Sequence, residues 1–399
     1  MPVTQDATGF VATYREALST RAARRLALVS LLSKIPYNAF PVTAVLLLSP
    51  RYSYGEAGTA VSVMLFANAV SSPLRGRLST TRRARLVLTV CLLGYLVGVT
   101  GLAFAAVQRL PIAAVLVAAA VIGVFLPPVG IQLRVRWAAA DRGRSRPTGN
   151  AIESALMDIT LIGAPVLASW LSVVAVPGFP FVVIGVLMAV AVALLLPVVR
   201  DGLPPPVAVG RWNVALVLVF GAQFLYCAGL SAIEVTLPIY AQQQHAVAYS
   251  GWLLAGLSLG SIVGALVLGT SRALARAGTA TLLGAFAVGA CVLGVATTVS
   301  PVAVLVVSPV AGLAVGTAFT RFYTTIDAAT PPGGEGAVQG WTASVTMVGF
   351  SAGTAVGAAV AGAHGATAAL VVAPVAGAAA IVLTLGARLR RDPDQREWR

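Results

Sequence analysis

The chain has 399 residues, of which 58% are hydrophobic and only 10% are charged, and its formal net charge is +14. Soluble domains carry about a quarter charged residues, so this composition excludes a soluble globular protein and predicts an integral membrane protein. The arginines lie in short gaps between apolar runs, where they act as topology signals, so the positive charge does not indicate nucleic-acid binding.

Apolar runs long enough to cross a membrane as a helix, about 20 residues each, recur along the chain. We predict twelve such spans, numbered 1 to 12 below. Their ranges are 26–48, 54–74, 85–107, 110–133, 149–174, 178–199, 213–240, 250–270, 279–299, 301–323, 337–361 and 365–387. The first apolar run is too long for the core of a cleaved signal peptide, so we expect span 1 to remain in the membrane.

Span 1 contains an unexpected charge within the stretch SLLSKIPYNAFPVTAVLLLS, residues 30–49. Lys34 is the only lysine of the chain, and Asn38 follows one helical turn later. An ammonium at membrane depth costs about 2.5 kcal/mol or more, so it needs a partner or a function. We therefore interpret Lys34 either as half of an ion pair that holds helices together or as part of a transport pathway.

The arginines alternate between the two ends of successive spans. With the N-terminus in the cytoplasm, the external gaps carry only Arg51 and Arg109, and the cytoplasmic segments carry the other arginines. Cytoplasmic loops are enriched in basic residues, so this alternation predicts twelve spans with both termini cytoplasmic.

A proline-rich break, RDGLPPPVAVGR at residues 200–211, lies near the midpoint of the chain. We predict an all-α membrane protein of twelve transmembrane helices in two six-helix bundles, residues 1–199 and 212–399, joined by a cytoplasmic linker at 200–211. Parallel repeats of six helices are a known transporter layout. The alternative is a single undivided helical bundle.

The segment PLRGRLSTTRRARLVL, residues 73–88, resembles the loop between helices 2 and 3 of the major facilitator superfamily. Gly76, Leu78, Arg82 and Arg85 match that family's pattern, whereas Thr80 stands in place of its aspartate and Arg83 in place of its later glycine. In the family the acidic group helps to latch one conformation. The resemblance therefore implies the major facilitator fold with a latch that is either different or weak.

A second segment, ITLIGAPVLASWL at residues 159–171, resembles the helix 5 signature of exporters in this family. Gly163 and Pro165 carry the match, and Ala164 replaces a glycine. The arginine early in helix 4 that is tied to proton coupling in many drug exporters has no counterpart in AAVLVAAAVIGVF. The amino-acid sequences of several helices most resemble those of exporters of high-GC bacteria. This resemblance implies that the protein lies in the cytoplasmic membrane of a bacterium.

Polar and ionisable side chains within the spans form the predicted substrate and proton pathway. Lys34 and Asp158 lie about 12 Å and 14 Å from the cytoplasmic ends of spans 1 and 5, so Asp158 is the expected partner of Lys34. We also place Glu153 near the cytoplasmic entrance and Glu234 in the outer half of span 7. The complete set is Lys34, Asn38, Glu153, Asp158, Gln223, Tyr226 and Glu234. For Asn38, Gln223 and Tyr226 the alternative is a hydrogen bond that serves packing.

Glycines recur at every fourth position in span 8 (Gly256, Gly260, Gly264) and in span 11 (Gly349, Gly353, Gly357). Such stripes allow close approach of helix backbones in lipid. They favour either static packing or a smooth contact on which the two halves move. The family resemblance implies that spans 8 and 11 face spans 5 and 2 across that contact.

The chain has no phosphate-binding GxxxxGK[ST] motif, and its three cysteines and two histidines show no metal-ligand spacing. We therefore predict no cofactor, no metal site and no enzyme. The expected function is proton-coupled export of a small organic compound by a monomeric secondary transporter in the bilayer. The alternatives are an uptake symporter or facilitator for a metabolite and, more remotely, a non-transporting sensor or membrane-embedded enzyme.

Overall fold

A computed structural model describes residues 20–79, 83–140, 147–174, 176–199, 214–270, 277–329 and 335–389. These residues form helices at every predicted span. The helices are Arg21–Leu48 (span 1), Tyr54–Ser79 (span 2), Ala84–Gln108 (span 3), Ile112–Val124 with Val129–Ala140 (span 4), Pro147–Val174 (span 5), Phe179–Leu195 (span 6), Val214–Gln243 (span 7), Ser250–Thr270 (span 8), Thr279–Thr297 (span 9), Pro301–Ala329 (span 10), Glu335–His364 (span 11) and Ala366–Ala369 with Val372–Leu389 (span 12).

The described helices have the length and composition of membrane spans. In the part of the chain that the structure describes, 11 helices are long and apolar enough to cross a membrane, and span 5 contributes the shorter apolar helix Ile159–Val174. Large apolar side chains cover the outer surface, as at Val97 and Val382, which are 67% and 68% exposed. An apolar surface of this extent requires lipid around it. The prediction of an all-α, multi-pass membrane protein is confirmed.

The helices pack as two groups of six. Spans 1 to 6 contact one another mainly as the pairs 1–5, 1–6, 2–4, 3–4 and 3–6, and spans 7 to 12 as the pairs 7–11, 7–12, 8–10, 9–10 and 9–12. The groups meet through the pairs 2–11 and 5–8 and more weakly through 1–7. The linker at 200–211 lies outside the described residues, so the boundary positions stay a prediction.

Span 4 is broken in the middle. Its first helix ends at Val124 and its second begins at Val129, with Pro127 and Pro128 between them. Proline lacks a backbone N–H and clashes with the preceding turn, so two consecutive prolines interrupt the helix. The predicted span 4, residues 110–133, thus consists of two helices separated by this break.

Spans 8 and 11 contact spans 5 and 2, as the family resemblance implies, but their glycine stripes face spans 10 and 7 inside the second six-helix group, so the moving-contact alternative for the stripes is wrong. A Cβ at Gly260 or Gly264 would overlap the backbone of span 10 at Pro309 or Leu313. A Cβ at Gly353 would overlap the Ala228 backbone of span 7. Glycine is required because these helix backbones touch, and the static-packing interpretation is confirmed.

Other glycines serve the contact between the groups. A Cβ at Gly58 of span 2 would overlap Ala358 of span 11. A Cβ at Gly251 of span 8 would lie 2.5 Å from Cα of Val166 in span 5. These positions lie near the ends of the spans that carry the arginine-poor loops. The two groups are therefore tightly apposed on the arginine-poor side.

Candidate functional site

Lys34 lies halfway along span 1. The helix begins at Arg21 and ends at Leu48, which places Lys34 roughly 20 Å from either end. The side chain is partly buried, and its Nζ donates a 2.8 Å hydrogen bond to Oγ of Ser30 one turn earlier. Span 1 therefore presents an ammonium close to the middle of the membrane.

Asn38 lies at the contact between spans 1 and 5. Its Nδ2 donates to Oγ1 of Thr160 at 3.0 Å, and Thr160 in turn donates to the Met157 carbonyl at 2.9 Å. This contact matches the packing alternative for Asn38. The side chains of Glu153 and Asp158 lie outside the described residues, so the pairing of Lys34 with Asp158 stays a prediction.

Glu234 lies on span 7 within electrostatic range of residues of both six-helix groups. It is partly buried in span 7, roughly 30 Å from the start of the helix at Val214, as predicted for the outer half. Its carboxylate lies within electrostatic range of the Tyr37 hydroxyl on span 1. Among the described residues, no hydrogen bond or ion pair satisfies this carboxylate.

Tyr37 is a site residue that sequence reasoning missed. Its hydroxyl donates to Sδ of Met347 on span 11 at 2.8 Å, so it bridges the two groups at mid-depth. Tyrosine carries no charge, so Tyr37 does not stand out within the apolar run as Lys34 does. Its position next to Asn38 was the one available clue.

Gln223 and Tyr226 are enclosed within the second group. Nε2 of Gln223 donates to Oγ1 of Thr346 at 2.9 Å, while its buried Oε1 has no partner among the described residues. Tyr226 is fully buried, and its hydroxyl donates to the Val315 carbonyl at 2.7 Å. Its ring packs 5.0 Å from that of Phe286. These contacts favour packing for Tyr226, and Gln223 keeps an acceptor available.

Serines join the two groups. Oγ of Ser62 on span 2 donates to the Ser351 carbonyl on span 11 at 2.7 Å, and Oγ of Ser351 donates back to the Ser62 carbonyl at 2.9 Å. At the other contact, Oγ of Ser258 on span 8 lies 3.4 Å from the Leu161 carbonyl of span 5. Ser49 of span 1 also donates to Gln242 of span 7 at 2.6 Å. These bonds lie at mid-depth or nearer the arginine-poor side.

The helix ends that flank the connection between spans 2 and 3 make polar contacts at the arginine-rich side. Nε of Arg85 donates to the Val199 carbonyl after span 6 at 3.3 Å, and a Cβ at Gly76 would lie 3.2 Å from the Ile131 side chain. Gln132 of span 4 donates to the Ser79 carbonyl at 2.5 Å. Leu78 is 43% exposed. Arg82 and Thr80 lie outside the described residues.

The two span 5 signature residues occupy different environments. Gly163 is exposed, and a Cβ there would meet no atom within 4 Å. Pro165 is buried, and its carbonyl oxygen would lie 2.7 Å from a Cβ at Gly251. Pro165 thus belongs to the contact between spans 5 and 8.

Comparison with known proteins places these features in a family. The family model described as Major Facilitator Superfamily matches residues 26–354 and 219–399. A search of curated proteins finds no match.

Solved structures share the fold. A mutant of the nucleoside transporter NupG is 16% identical, with a TM-score of 0.69 over 92% of this chain and 99% of that chain. A bacterial homologue of the iron transporter ferroportin, in an inward-facing state, is 15% identical, with a TM-score of 0.71 over 92% and 98%. A bacterial homolog of the human lysosomal transporter Spinster, inward-facing and unoccupied, is 14% identical, with a TM-score of 0.62 over 95% and 99%.

Proposed function

Since the chain belongs to the major facilitator superfamily and is a secondary membrane transporter, we propose that it exports a small organic compound in exchange for protons by alternating access. The observation that carries this proposal is the position of Glu234. It is an ionisable group within the membrane on one six-helix group, within electrostatic range of Tyr37 on the other. Intramembrane carboxylates mark proton and substrate pathways in transporters.

Movement between the two groups can couple proton binding to transport. A carboxylate in contact with water is ionised near neutral pH, whereas one sealed from water favours its protonated form. Glu234 lies at the boundary between the groups, so a change in their contact changes its access to water. Glu234 can thus take up a proton in one conformation and release it in the other.

Lys34 provides the opposite charge on span 1, one turn before Tyr37 and Asn38. We extend the proposal to Lys34 as the basic group of the same pathway. Its partner there would be Asp158 or Glu153. An anionic solute group, or a carboxylate of span 5, would compensate the ammonium. Neutralising that carboxylate by a proton would free Lys34 to bind the solute.

The polar groups at mid-depth are few. Lys34, Asn38 and Gln223 contact Ser30, Thr160 and Thr346, and most other residues of spans 1 and 7 are apolar. Such a lining suits an amphiphilic organic solute with one or two polar groups. A polyol would need many more hydrogen-bond partners, so we propose an amphiphilic solute.

The conformation supports alternating access. The described hydrogen bonds between the groups lie at mid-depth or toward the arginine-poor side, which the topology prediction places outside. This arrangement fits a state that is closed to the exterior. We further propose that the protein acts as a monomer in a bacterial cytoplasmic membrane with both termini cytoplasmic.

Reconstitution in liposomes tests the proposal. A pH gradient is imposed, lumenal pH is followed with a trapped dye, and amphiphilic compounds are added in turn. We expect one class of compound to cross the membrane in one direction while protons cross in the opposite direction. The Glu234→Gln variant should exchange solute without proton movement, whereas the matched control Glu56→Gln, in the first turn of span 2, should behave as wild type.

Three other results of this experiment would contradict the proposal. Proton flow in the same direction as the solute would establish symport. Solute movement without proton flow in wild type would establish a facilitator. Unchanged coupling in Glu234→Gln would remove Glu234 from the proton pathway.

A further inference from the structure

Arg75 is a buried cation inside span 2, away from the pathway described above. It is only 7% exposed, and its Nη2 donates to the carbonyl oxygen of Asn68 at 3.2 Å and to the Asn68 side chain at 2.5 Å. Its Nε is buried and has no hydrogen-bond partner among the described residues. Because a guanidinium remains charged in proteins, this site carries a permanent positive charge.

The groups in contact with Arg75 do not neutralise that charge. Asn68 is a neutral amide, and the Cys91 thiol of span 3 is the other group in electrostatic range. No carboxylate among the described residues pairs with Arg75. A buried charge without a counter-charge is strongly destabilising, so an anion from outside the chain would stabilise this region.

A cavity of about 150 Å³ lies beside the guanidinium, between span 2 and the break in span 4. It is lined by Asn68, Ser72 and Arg75 of span 2 and by Leu126, Pro127, Pro128, Gly130 and Ile131 of span 4. This volume holds several water molecules or one compact anionic group. Drug-sized ligands need about 300 Å³ or more, so the cavity is too small for a whole amphiphilic solute.

The second helix of span 4 directs its positive end into the cavity. It runs for 12 residues from Val129 to Ala140. Val129 and Gln132 donate to the carbonyls of Pro127 and Pro128, but among the described residues the N–H groups of Gly130 and Ile131 have no backbone acceptor before the helix. Free N–H groups at a helix start bind anions, and the helix dipole reinforces this preference.

We propose that this cavity binds one compact anionic group, a halide, a carboxylate or a phosphate. The Arg75 guanidinium supplies the charge, and the N–H groups of Gly130 and Ile131 supply further donors. The bound anion connects span 2 to the second helix of span 4, where the proline break has removed backbone hydrogen bonds. It therefore stabilises the first six-helix group whatever solute the protein carries.

Thermal unfolding of the purified, delipidated full-length chain tests this site. Sodium chloride, acetate and phosphate are titrated separately at matched ionic strength. We expect at least one of them to raise Tm saturably, by on the order of a few degrees at saturation. Arg75→Gln should lose the saturable rise, whereas Arg51→Gln, on the opposite side of the membrane, should keep it.

A second variant keeps the test valid if Arg75→Gln folds poorly. Arg75→Met removes the buried charge, so without added anion it should unfold at the same temperature as wild type or higher, and it should not respond to anions. Nanodiscs of phosphatidylcholine with and without phosphatidylglycerol identify the source. Stabilisation that depends on phosphatidylglycerol and is competed by free phosphate indicates a lipid headgroup.

Two results would overturn the proposal. One is a wild-type protein whose Tm shows no saturable response to any of these anions or to phosphatidylglycerol. The other is an equal response in wild type, Arg75→Gln and Arg75→Met, which would place anion binding elsewhere. Both readouts concern stability, so they are independent of whether the protein proves to be a proton-coupled exporter.

Discussion

The two basic side chains inside the first six-helix group differ in what surrounds them. Lys34 occupies the middle of span 1 and donates to Ser30, one turn from the Asn38–Thr160 contact with span 5. Arg75 is held by Asn68 beside a small polar cavity. A lysine ammonium can rotate among several acceptors, whereas a guanidinium holds a fixed fork of donors. Lys34 thus suits a changing partner and Arg75 a resident anion.

Neutralising Lys34 and its predicted partner distinguishes two roles of the ion pair. In one it only holds helices together, and in the other it also couples protons to transport. Lys34→Ala and Asp158→Asn should each reduce transport at least about tenfold, because breaking a buried pair costs about 3–5 kcal/mol. If the pair is structural, the double variant recovers transport and thermal stability. If Asp158 carries the proton, Asp158→Asn still exchanges solute but no longer responds to pH.

Glu153→Gln is the comparison for these variants. Thr160, which contacts Asn38 of span 1, lies two turns after Glu153 and two residues after Asp158 in the same helix. If Glu153→Gln has the larger effect and only its combination with Lys34→Ala recovers stability, the partner of Lys34 is Glu153. Unchanged transport in Lys34→Ala would remove both pairings.

Tyr37→Phe tests the bridge between the two groups. The change removes the hydroxyl that donates to Met347 and lies near Glu234, while the ring and its packing remain. We expect a shifted pH profile of transport, a thermal stability within about 1 kcal/mol of wild type, and little change in solute KM. Tyr95→Phe, in span 3, is the matched control. An unaltered pH profile in Tyr37→Phe would show that this hydroxyl takes no part in proton handling.

At the scale of helices, hydropathy determines where each helix begins and ends, whereas the neighbouring helices determine which of its faces are in contact. The predicted ranges agree with the observed helices because runs of about 20 apolar residues must be helical in lipid. The glycine stripes show the limit. Spans 8 and 11 do contact spans 5 and 2, but a periodic stripe does not say which neighbour its own face meets, and these stripes face spans 10 and 7.

The same limit applies to the site. Lys34 and Glu234 could be identified because a charge inside an apolar run is costly wherever it points. Tyr37, Ser62 and Ser351 could not, since their importance comes from residues some 300 positions away that they hydrogen-bond. Arg75 was taken as a topology signal from its position next to the loop, and only the packing of spans 2 and 4 showed that it is buried.

Matched glycine variants test the packing at the scale of one helix. Gly353→Ala introduces a Cβ that would overlap the Ala228 backbone of span 7, so we expect loss of folded protein and a lower Tm. Gly284→Ala, in span 9, meets no atom within 4 Å and should be neutral or more stable by up to about 1 kcal/mol. Detergent-solubilised yield and Tm measure both. Equal tolerance of the two substitutions would mean that spans 7 and 11 are not in backbone contact.

At the scale of the whole molecule, the described hydrogen bonds between the two six-helix groups lie at mid-depth or toward the arginine-poor side. Their described contacts combine small residues, as at Gly58 and Gly251, with a few serine hydrogen bonds. Each such bond contributes only about 1 kcal/mol net, so these contacts would cost little to separate in the proposed alternating-access movement. The interiors of the groups, with glycines against helix backbones, are much harder to deform.

A reversible cross-link between the groups tests this movement. Oγ of Ser62 and Oγ of Ser351 lie 2.9 Å apart, within reach of a disulfide if both are cysteine. In a background with Cys91, Cys227 and Cys291 replaced by alanine, oxidation of Ser62→Cys with Ser351→Cys should abolish transport, and reductant should restore it. Each single variant should transport under both conditions. Because alternating access requires spans 2 and 11 to separate, transport at full rate by the cross-linked protein would contradict the mechanism itself.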